Sequence, residues 1–553
     1  MNYEKERSIG GELFASLVSA GASNLNKNVK TVNELNVFPI PDGDTGDNML
    51  HTISGGLEKL RSASASSLGE SAKNLADGML LNARGNSGVI LSQLFAGVAS
   101  GLTGVESADL KRLAEAFNDG VKTAYSSVVK PVEGTILTVA RESFSYAAER
   151  VNEKSDLSGY FGDVLAKMRV SLENTPNLLD VLKEAGVVDS GGAGLYYIVD
   201  GMNKALSGAE TEDLPEKHAA AKTNLDFSLF DEFSTMKFGY CTEFLLRLQN
   251  SKTDVNSFDE KVIVDYLSSI GDSIVCFKTG SVVKVHVHTF EPYKPLEYCQ
   301  KFGEFLTVKI ENMTLQHNET IKDEVALTRS ERTRRAFGTV AVASGAGIIE
   351  LFKEFGADVV IDGGQGKNPS TEDFIKAFEK TNADDIFVLP NNSNIIMTAK
   401  QAGKIYEGSN IHVIETKNIG ECYSALSMLD YSSGDANVIA ENLKSDSGSV
   451  TTGMITRAVR SARLNGVDIR EGDYIGFTDK TMYASAPDPV SAFKDLCEKL
   501  GIKEKNFLIV VCGADAKADD KAAIKAFAEN LGGLEYYEID GGQDVYDYIA
   551  IIE

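Results

Sequence analysis

The stretch from Asn36 to Leu50, Asn-Val-Phe-Pro-Ile-Pro-Asp-Gly-Asp-Thr-Gly-Asp-Asn-Met-Leu, constrains this chain more than any other. Pro39 and Pro41 keep the entry extended, and the glycines let the backbone turn tightly. Leu50, Ile53, Leu57 and Leu60 then recur at helical spacing. Asp44 or Thr45 is the expected N-cap. Two carboxylates, Asp42 and Asp44, are thereby fixed beside a helix N-terminus. Such a place suits Mg²⁺ and phosphate together. Carboxylates hold the hard cation, and free backbone N–H groups receive phosphate oxygens. A bare Asp-Gly-Asp is more often only a capped turn.

Composition narrows the class. The 553 residues allow about three or four domains. A net charge of −25 argues against a general nucleic-acid binder and against adhesion to an anionic membrane. No apolar run reaches the roughly 18 residues that a membrane span needs, and the N-terminus lacks a signal core. Six scattered cysteines without a C-x-x-C pair fit reduced thiols in a cytoplasm. A cytoplasmic homodimer without nucleic acid or integral membrane segment is expected.

The motif string resembles the nucleotide-binding subunit of the dihydroxyacetone kinase family. In its longer context it resembles the ATP-binding subunit of bacterial fatty acid kinase. The resemblance continues through Asn82-Ala83-Arg84-Gly85-Asn86-Ser87-Gly88, Lys130-Pro131-Val132-Glu133-Gly134-Thr135 and Gly186-Val187-Val188-Asp189-Ser190-Gly191-Gly192. It covers essentially the whole chain. It implies an antiparallel helical barrel over residues 1–208 with ATP at one rim. Apolar stripes such as Leu110, Leu113, Phe117, Val121 and Ala124, or Leu195, Ile198, Met202 and Leu206, agree with helices throughout this region.

Three polar loops should line that rim. Thr45, Gly46 and Asn48 follow the two carboxylates. Asn86, Ser87 and Gly88 precede an apolar helix, so their N–H groups can face phosphate; a plain helix start explains them equally well. Asp189, Ser190 and Gly191 open another helix and, by resemblance, close over base and sugar. Gly134 and Thr135 are weaker candidates. The nucleotide-binding chain of dihydroxyacetone kinase uses three carboxylates for magnesium, and Asn36 stands where the first is expected. Asp42 and Asp44 are therefore the Mg²⁺ ligands, with Asn36 a neutral third. Asp47 favours the helix N-terminus electrostatically.

A polar linker over 209–235 leads to a middle domain over 236–330. Its pattern reads strand, helix, strand, strand, helix, strand, the ferredoxin-like order. The first and third strands should be neighbours. Cys241, His286 and His288 then project from one open face, a set that suits Zn²⁺, with Glu243, water or a partner group in a fourth place. The resemblance carries zinc at the same constellation. From 334 to 553, short apolar strands alternate with helices, which predicts a mostly parallel α/β sheet. Ile361-Asp362-Gly363-Gly364-Gln365 recurs as Ile539-Asp540-Gly541-Gly542-Gln543, an echo that two related lobes explain. Asn368-Pro369-Ser370-Thr371 and Pro390-Asn391-Asn392-Ser393-Asn394 follow strands and suit a ligand at the sheet's carboxyl edge. Helix capping explains Ser370-Thr371 equally well.

The family resemblance implies ATP-dependent phosphorylation of a fatty acid presented by a separate DegV-type fatty-acid-binding protein, giving an acyl phosphate. The α/β domain is the expected carrier-recognition module, held at a fixed distance by the middle sheet. Two alternatives remain open from sequence: a kinase for a small polyol or ketone such as dihydroxyacetone, and a non-catalytic nucleotide-sensing scaffold.

Overall fold

The computed structural model describes residues 6–36, 43–63, 67–128, 130–207, 240–255, 257–279, 281–312, 334–479 and 481–553. Up to residue 207 the described chain is helical apart from β1 (Ser8–Gly10) and β2 (Ser107–Asp109), a short antiparallel pair that periodicity did not show. The helices are α1 (Gly11–Glu34), α2 (Thr45–Ser62), α3 (Leu68–Leu81), α4 (Gly85–Gly101), α5 (Leu110–Ser127), α6 (Ile136–Arg150), α7 (Leu157–Leu178), α8 (Asp180–Ala185) and α9 (Ser190–Leu206). Ser67, Asp109, Asp156 and Asp189 each accept a backbone N–H and so start α3, α5, α7 and α9. The stripes on α5 and α9 are buried in one core with Phe144 and Phe161. Each fully buried leucine or phenylalanine there is worth about 1.5–3 kcal/mol. Neighbouring helices pack in sequence order over much of the region, and α9 packs back on α1.

Residues Lys217–Thr333 form one compact unit, whereas Met1–Glu216 and Arg334–Glu553 pack together as another. The middle unit contains β3 (Tyr240–Leu248), α10 (Lys261–Leu267), β4 (Asp272–Thr279), β5 (Val282–Thr289), α11 (Tyr293–Cys299) and β6 (Gly303–Asn312). The sheet order is β4-β5-β3-β6, all antiparallel, so the first and third strands are neighbours. Their register sets Cys241 opposite His288 and Glu243 opposite His286. Val283, Val285 and Val287 face a core with Phe244, Leu246 and Leu267. The side chains of Cys241, Glu243, His286 and His288 lie outside the described part of the structure, as do the linker and the expected trailing helix.

The C-terminal region is built on two larger sheets. The first holds β7 (Arg335–Ala343), β8 (Val359–Asp362), β9 (Ala383–Leu389) and β10 (Asn410–Val413), all parallel in the order β10-β9-β7-β8. Helices α12 (Ala346–Glu354), α13 (Thr371–Thr381) and α14 (Ile396–Ile405) connect them, and α15 (Ile419–Ser427) and α16 (Ala436–Ser447) follow. The second sheet corrects the expectation of a mostly parallel fold. It contains β11 (Thr451–Arg457), then, after a small hairpin of β12 (Ala462–Leu464) and β13 (Val467–Ile469), β14 (Tyr474–Thr478) and β15 (Thr481–Ala486). Helix α17 (Pro489–Lys499), β16 (Phe507–Cys512), α18 (Ala518–Leu531), β17 (Glu535–Asp540) and β18 (Tyr548–Ile552) complete it. Its order is β15-β14-β11-β18-β16-β17, and only the β16–β17 pair is parallel. The hairpin had a readable signal: Asn465 and Gly466 both have positive φ and form the two-residue turn between Leu464 and Val467. The five-residue echo falls at equivalent places. One copy ends the β7–α12–β8 unit and the other ends the β16–α18–β17 unit, both parallel pairs.

The helical and α/β regions touch directly. The Gln401 amide donates to the Leu80 carbonyl at 2.7 Å and receives a bond from Gln93 at 3.1 Å. The Thr371 N–H donates to the Ala83 carbonyl at 3.2 Å, and Arg84 bridges Ser370.

Candidate functional site

A cavity of about 520 Å³ opens where these two regions meet. Its helical wall is made from Asn36, the start of α2 at Asp44, Thr45 and Asn48, and the start of α4 at Asn86 and Ser87. Two helix N-termini therefore converge on one space, which favours an anion. The other wall carries Ser344 and the loop Pro390–Asn394. In the order β10-β9-β7-β8, the connection after β7 runs to β8 on one side and that after β9 runs to β10 on the other, so β7 and β9 flank the switch point of the sheet. Ser344 and Pro390 lie just beyond the carboxyl ends of those two strands, where parallel sheets form ligand crevices.

Local bonding fixes the helical wall. The Gly46 amide donates to Asn33 Oδ1 at 2.7 Å, so α2 is capped by a side chain of α1. Asn33 in turn donates to Asp47 at 2.7 Å, which keeps that carboxylate beside the α2 N-terminus. The Thr45 hydroxyl donates to Asn36 Oδ1 at 2.8 Å, and the Ser190 hydroxyl reaches both Asn36 Oδ1 (3.1 Å) and Thr45 Oγ1 (3.2 Å). This network draws the start of α9 to the start of α2. Asp44 and Thr45 bring oxygen atoms to the cavity edge beside Asn36, the hard kind of ligand that Mg²⁺ takes. Asp42 lies outside the described residues.

At the start of α4, Gly85 has φ +58°, and a Cβ there would lie 2.6 Å from the Asn48 amide nitrogen. Glycine is required on both counts. Asn86 donates to the Ser393 carbonyl at 3.4 Å, whereas its own Oδ1 is buried without a hydrogen-bond partner. Gly88 bonds back to the Arg84 carbonyl at 3.2 Å.

Asp189, Gly191, Gly134 and Thr135 do not line the cavity. Asp189 joins two helix starts instead, accepting from the Gly192 N–H at 2.7 Å and from the Ile136 N–H. Burial raises its pKa to about 6, against the pull of those two N–H donors. Gly134 has φ +83° and donates its N–H to the Thr138 hydroxyl at 2.9 Å. Thr135 is the N-cap residue of α6, and its hydroxyl donates to the Val132 carbonyl at 2.8 Å. Glu133 anchors the same loop by accepting from Thr138 and Arg141. Burial alone would raise the Glu133 pKa, but the Thr138 hydroxyl and the Arg141 charge bring it below the usual carboxylate value.

The α/β wall adds residues whose partners sequence reasoning did not find. Asn391, with positive φ, donates to the Val342 carbonyl at 2.6 Å and accepts from Thr416 at 2.7 Å, tying the ends of β7, β9 and β10. Asn368 donates to Asp44 Oδ2 across the two regions. Arg84, from the α4 start, donates to the Asn368 carbonyl at 3.0 Å.

Comparisons with known proteins place this architecture. Residues 39–204 match the DAK2 domain, 237–320 the middle domain of the FakA-like fatty acid kinase family, and 338–553 the C-terminal domain of the same FakA-like family. Uncharacterized proteins of Staphylococcus aureus strains USA300 and COL are each 38% identical over 557 residues, covering 99% of this chain and 99% of the relative. Among solved structures, one titled fatty acid binding of a DegV family protein, from Thermus thermophilus, aligns with 39% of this chain and 100% of its own. Its TM-score of 0.29 at 12% identity is too slight a likeness to argue from. The domain matches in this order, with full-length relatives, mean that the chain belongs to the FakA-like family of fatty acid kinase proteins.

Proposed function

We propose that this chain transfers the γ-phosphoryl group of ATP to the carboxylate of a fatty acid held by a separate DegV-type binding protein, giving an acyl phosphate and ADP. Membership in the family supports the reaction class. The observation that carries the site is the convergence of the α2 and α4 N-termini, with Asp44, on one cavity. Asp44 and Asp42 would hold Mg²⁺. When bound, that ion would offset the charge on the phosphates. The N-terminal ends of α2 and α4 orient the phosphates. By family resemblance the Asp189-Ser190-Gly191 segment would close over base and sugar from beyond the cavity lining, and Ser190 ties it there to Asn36 and Thr45. A carboxylate oxygen of the acceptor forms the new O–P bond as the bond from the γ-phosphorus to the bridging oxygen breaks. Catalysis is then positioning and charge neutralisation, with no phospho-enzyme.

The carrier is proposed to dock on the α/β region. Loops of that region already wall the cavity, so a partner held there has a short path to the γ-phosphate. Among the described residues no helix is long and apolar enough to cross a membrane, which fits delivery of the lipid by a protein. Incubation with ATP, Mg²⁺ and either loaded carrier or dihydroxyacetone tests the acceptor. ADP release that depends on loaded carrier is expected; release that depends only on dihydroxyacetone would reject the assignment.

A Zn²⁺ site at Cys241, His286 and His288 is part of the same proposal, supported by the backbone register that sets Cys241 opposite His288. Elemental analysis should find about one zinc per chain, as one tetrahedral site requires. Zinc well below that, with a triple alanine variant equally stable, would remove the site.

A further inference from the structure

We propose that Asn368 is a positioning residue for Asp44, so that the α/β region completes the metal-facing edge of the nucleotide site. The inference rests on the reading of Asp44 as a Mg²⁺ ligand. Asn368 is 3% exposed and stands 324 residues from Asp44 in sequence. An ionised carboxylate only accepts hydrogen bonds, so Asn368 must present its NH₂ group to Asp44 Oδ2. Its own Oδ1 then faces the Asn392 amide, at 3.5 Å. The Arg84 guanidinium holds its main-chain carbonyl at 3.0 Å. A buried primary amide is costly unless both ends find partners, and here both do.

The segment carrying Asn368 is also pinned. Ser370 forms a capping box with Asp373 at the start of α13, and the Thr371 N–H bonds the Ala83 carbonyl. The Arg84–Ser370 bridge fixes the same short stretch against the start of α4. Asn368 is thus held by elements from both regions, and Asp44 is held by Asn368. A carboxylate offers about four acceptor positions, and one amide donor does not exhaust them. Fixing one oxygen sets the torsion of the group and leaves it pre-aimed at a cation. Ligating carboxylates are commonly supported in this way, and loss of such support costs about 10–100-fold in metal affinity or activity.

The test is a Mg²⁺ titration of ATP binding to the full chain, read by calorimetry, with Asn368→Ala and the volume-preserving Asn368→Leu. Gln401→Ala is the control: it removes contacts between the two regions without touching Asp44. Both Asn368 variants should need about 10-fold more Mg²⁺ or above to reach half-saturation, while Gln401→Ala stays near wild type. An unchanged midpoint in a folded Asn368 variant would overturn the proposal. A lowered midpoint would do so too, because Asn368 would then compete with the cation. An equal shift in Gln401→Ala would assign the effect to loosened packing and equally reject it. If the wild-type chain showed no Mg²⁺-dependent ATP binding, the site reading would fall and this inference with it. If the shift is seen but no acyl phosphate forms, only the choice of acceptor fails.

Discussion

The two walls of the cavity offer a ligand different things. The helical wall presents two helix N-termini and a carboxylate, groups that meet phosphate and metal directly. The α/β side lines the cavity with Lys417 and Asp479 among others, and it also carries neutral amides. Asn368, not itself a lining residue, bonds the Asp44 carboxylate, Asn391 ties three strand ends together, and Asn392 faces Asn368. In the proposed reaction the partial charges and the carboxylate do the chemistry, and the buried amide network sets where they point. The reacting wall is drawn largely from residues 36–87, while Asn368, which bonds its carboxylate, stands 324 residues beyond Asp44.

That division predicts graded effects. Asp44→Ala removes a charge on the reacting wall and should lower phosphoryl transfer at least about 10²-fold. It also leaves the buried Asn368 amide without its acceptor, at a cost of about 1–3 kcal/mol in stability. Near-normal turnover would erase the distinction between the walls. Gly85→Ala strikes the helical wall, since a Cβ there meets the Asn48 amide at 2.6 Å while reaching Asn368 only at an ordinary contact distance of 3.5 Å. Left-handed strain plus overpacking should cost about 2–4 kcal/mol in denaturant unfolding. A silent Gly85→Ala would contradict the left-handed backbone and the close approach to Asn48 at the α4 start.

Asn391→Ala acts on the aiming wall alone. It strips partners from the Val342 carbonyl and the Thr416 hydroxyl, at a cost of about 1–3 kcal/mol. Chemical denaturation should show that loss, with turnover at saturating Mg²⁺ falling much less than in Asp44→Ala. A larger loss of turnover than in Asp44→Ala would reverse the roles of the two walls.

The smallest effect is at Asp189, away from the cavity. A carboxyl whose folded pKa is raised, here to about 6, costs the folded state stability as pH climbs from about 4, and the cost is complete above pH 6. Asp189→Asn keeps an acceptor for the Gly192 N–H and cannot ionise. The melting temperature of the variant relative to wild type should therefore rise between about pH 4 and 6 and then level off. A difference independent of pH would contradict the raised pKa.

Much of the reacting wall was legible because its signals are local. Glycine and proline fix the turn into α2, polar residues open α4 and α9, and apolar spacing gives the helices behind them. The first parallel sheet was legible for the same reason: its strands are continuous apolar runs. The second sheet was not, because its strands are short and its order is set by pairings such as β11 with β18, nearly a hundred residues apart. The Asn465-Gly466 turn announced one hairpin and went unused. Asn368 was visible as a polar residue after a strand, and its neighbours Ser370 and Thr371 read as a helix cap, which they are. Its bond to Asp44 was not legible. Nothing in local periodicity encodes which loop of one region faces which helix start of another.

The most direct test of the account is trapping of the product. Wild-type chain, ATP, Mg²⁺ and fatty-acid-loaded DegV-type carrier are mixed with hydroxylamine, and the acyl hydroxamate is quantified beside Asp44→Ala and a reaction without Mg²⁺. The account predicts hydroxamate from the complete wild-type mixture and none above background from either control. No hydroxamate from the complete mixture, while the same preparation phosphorylates dihydroxyacetone, would contradict it.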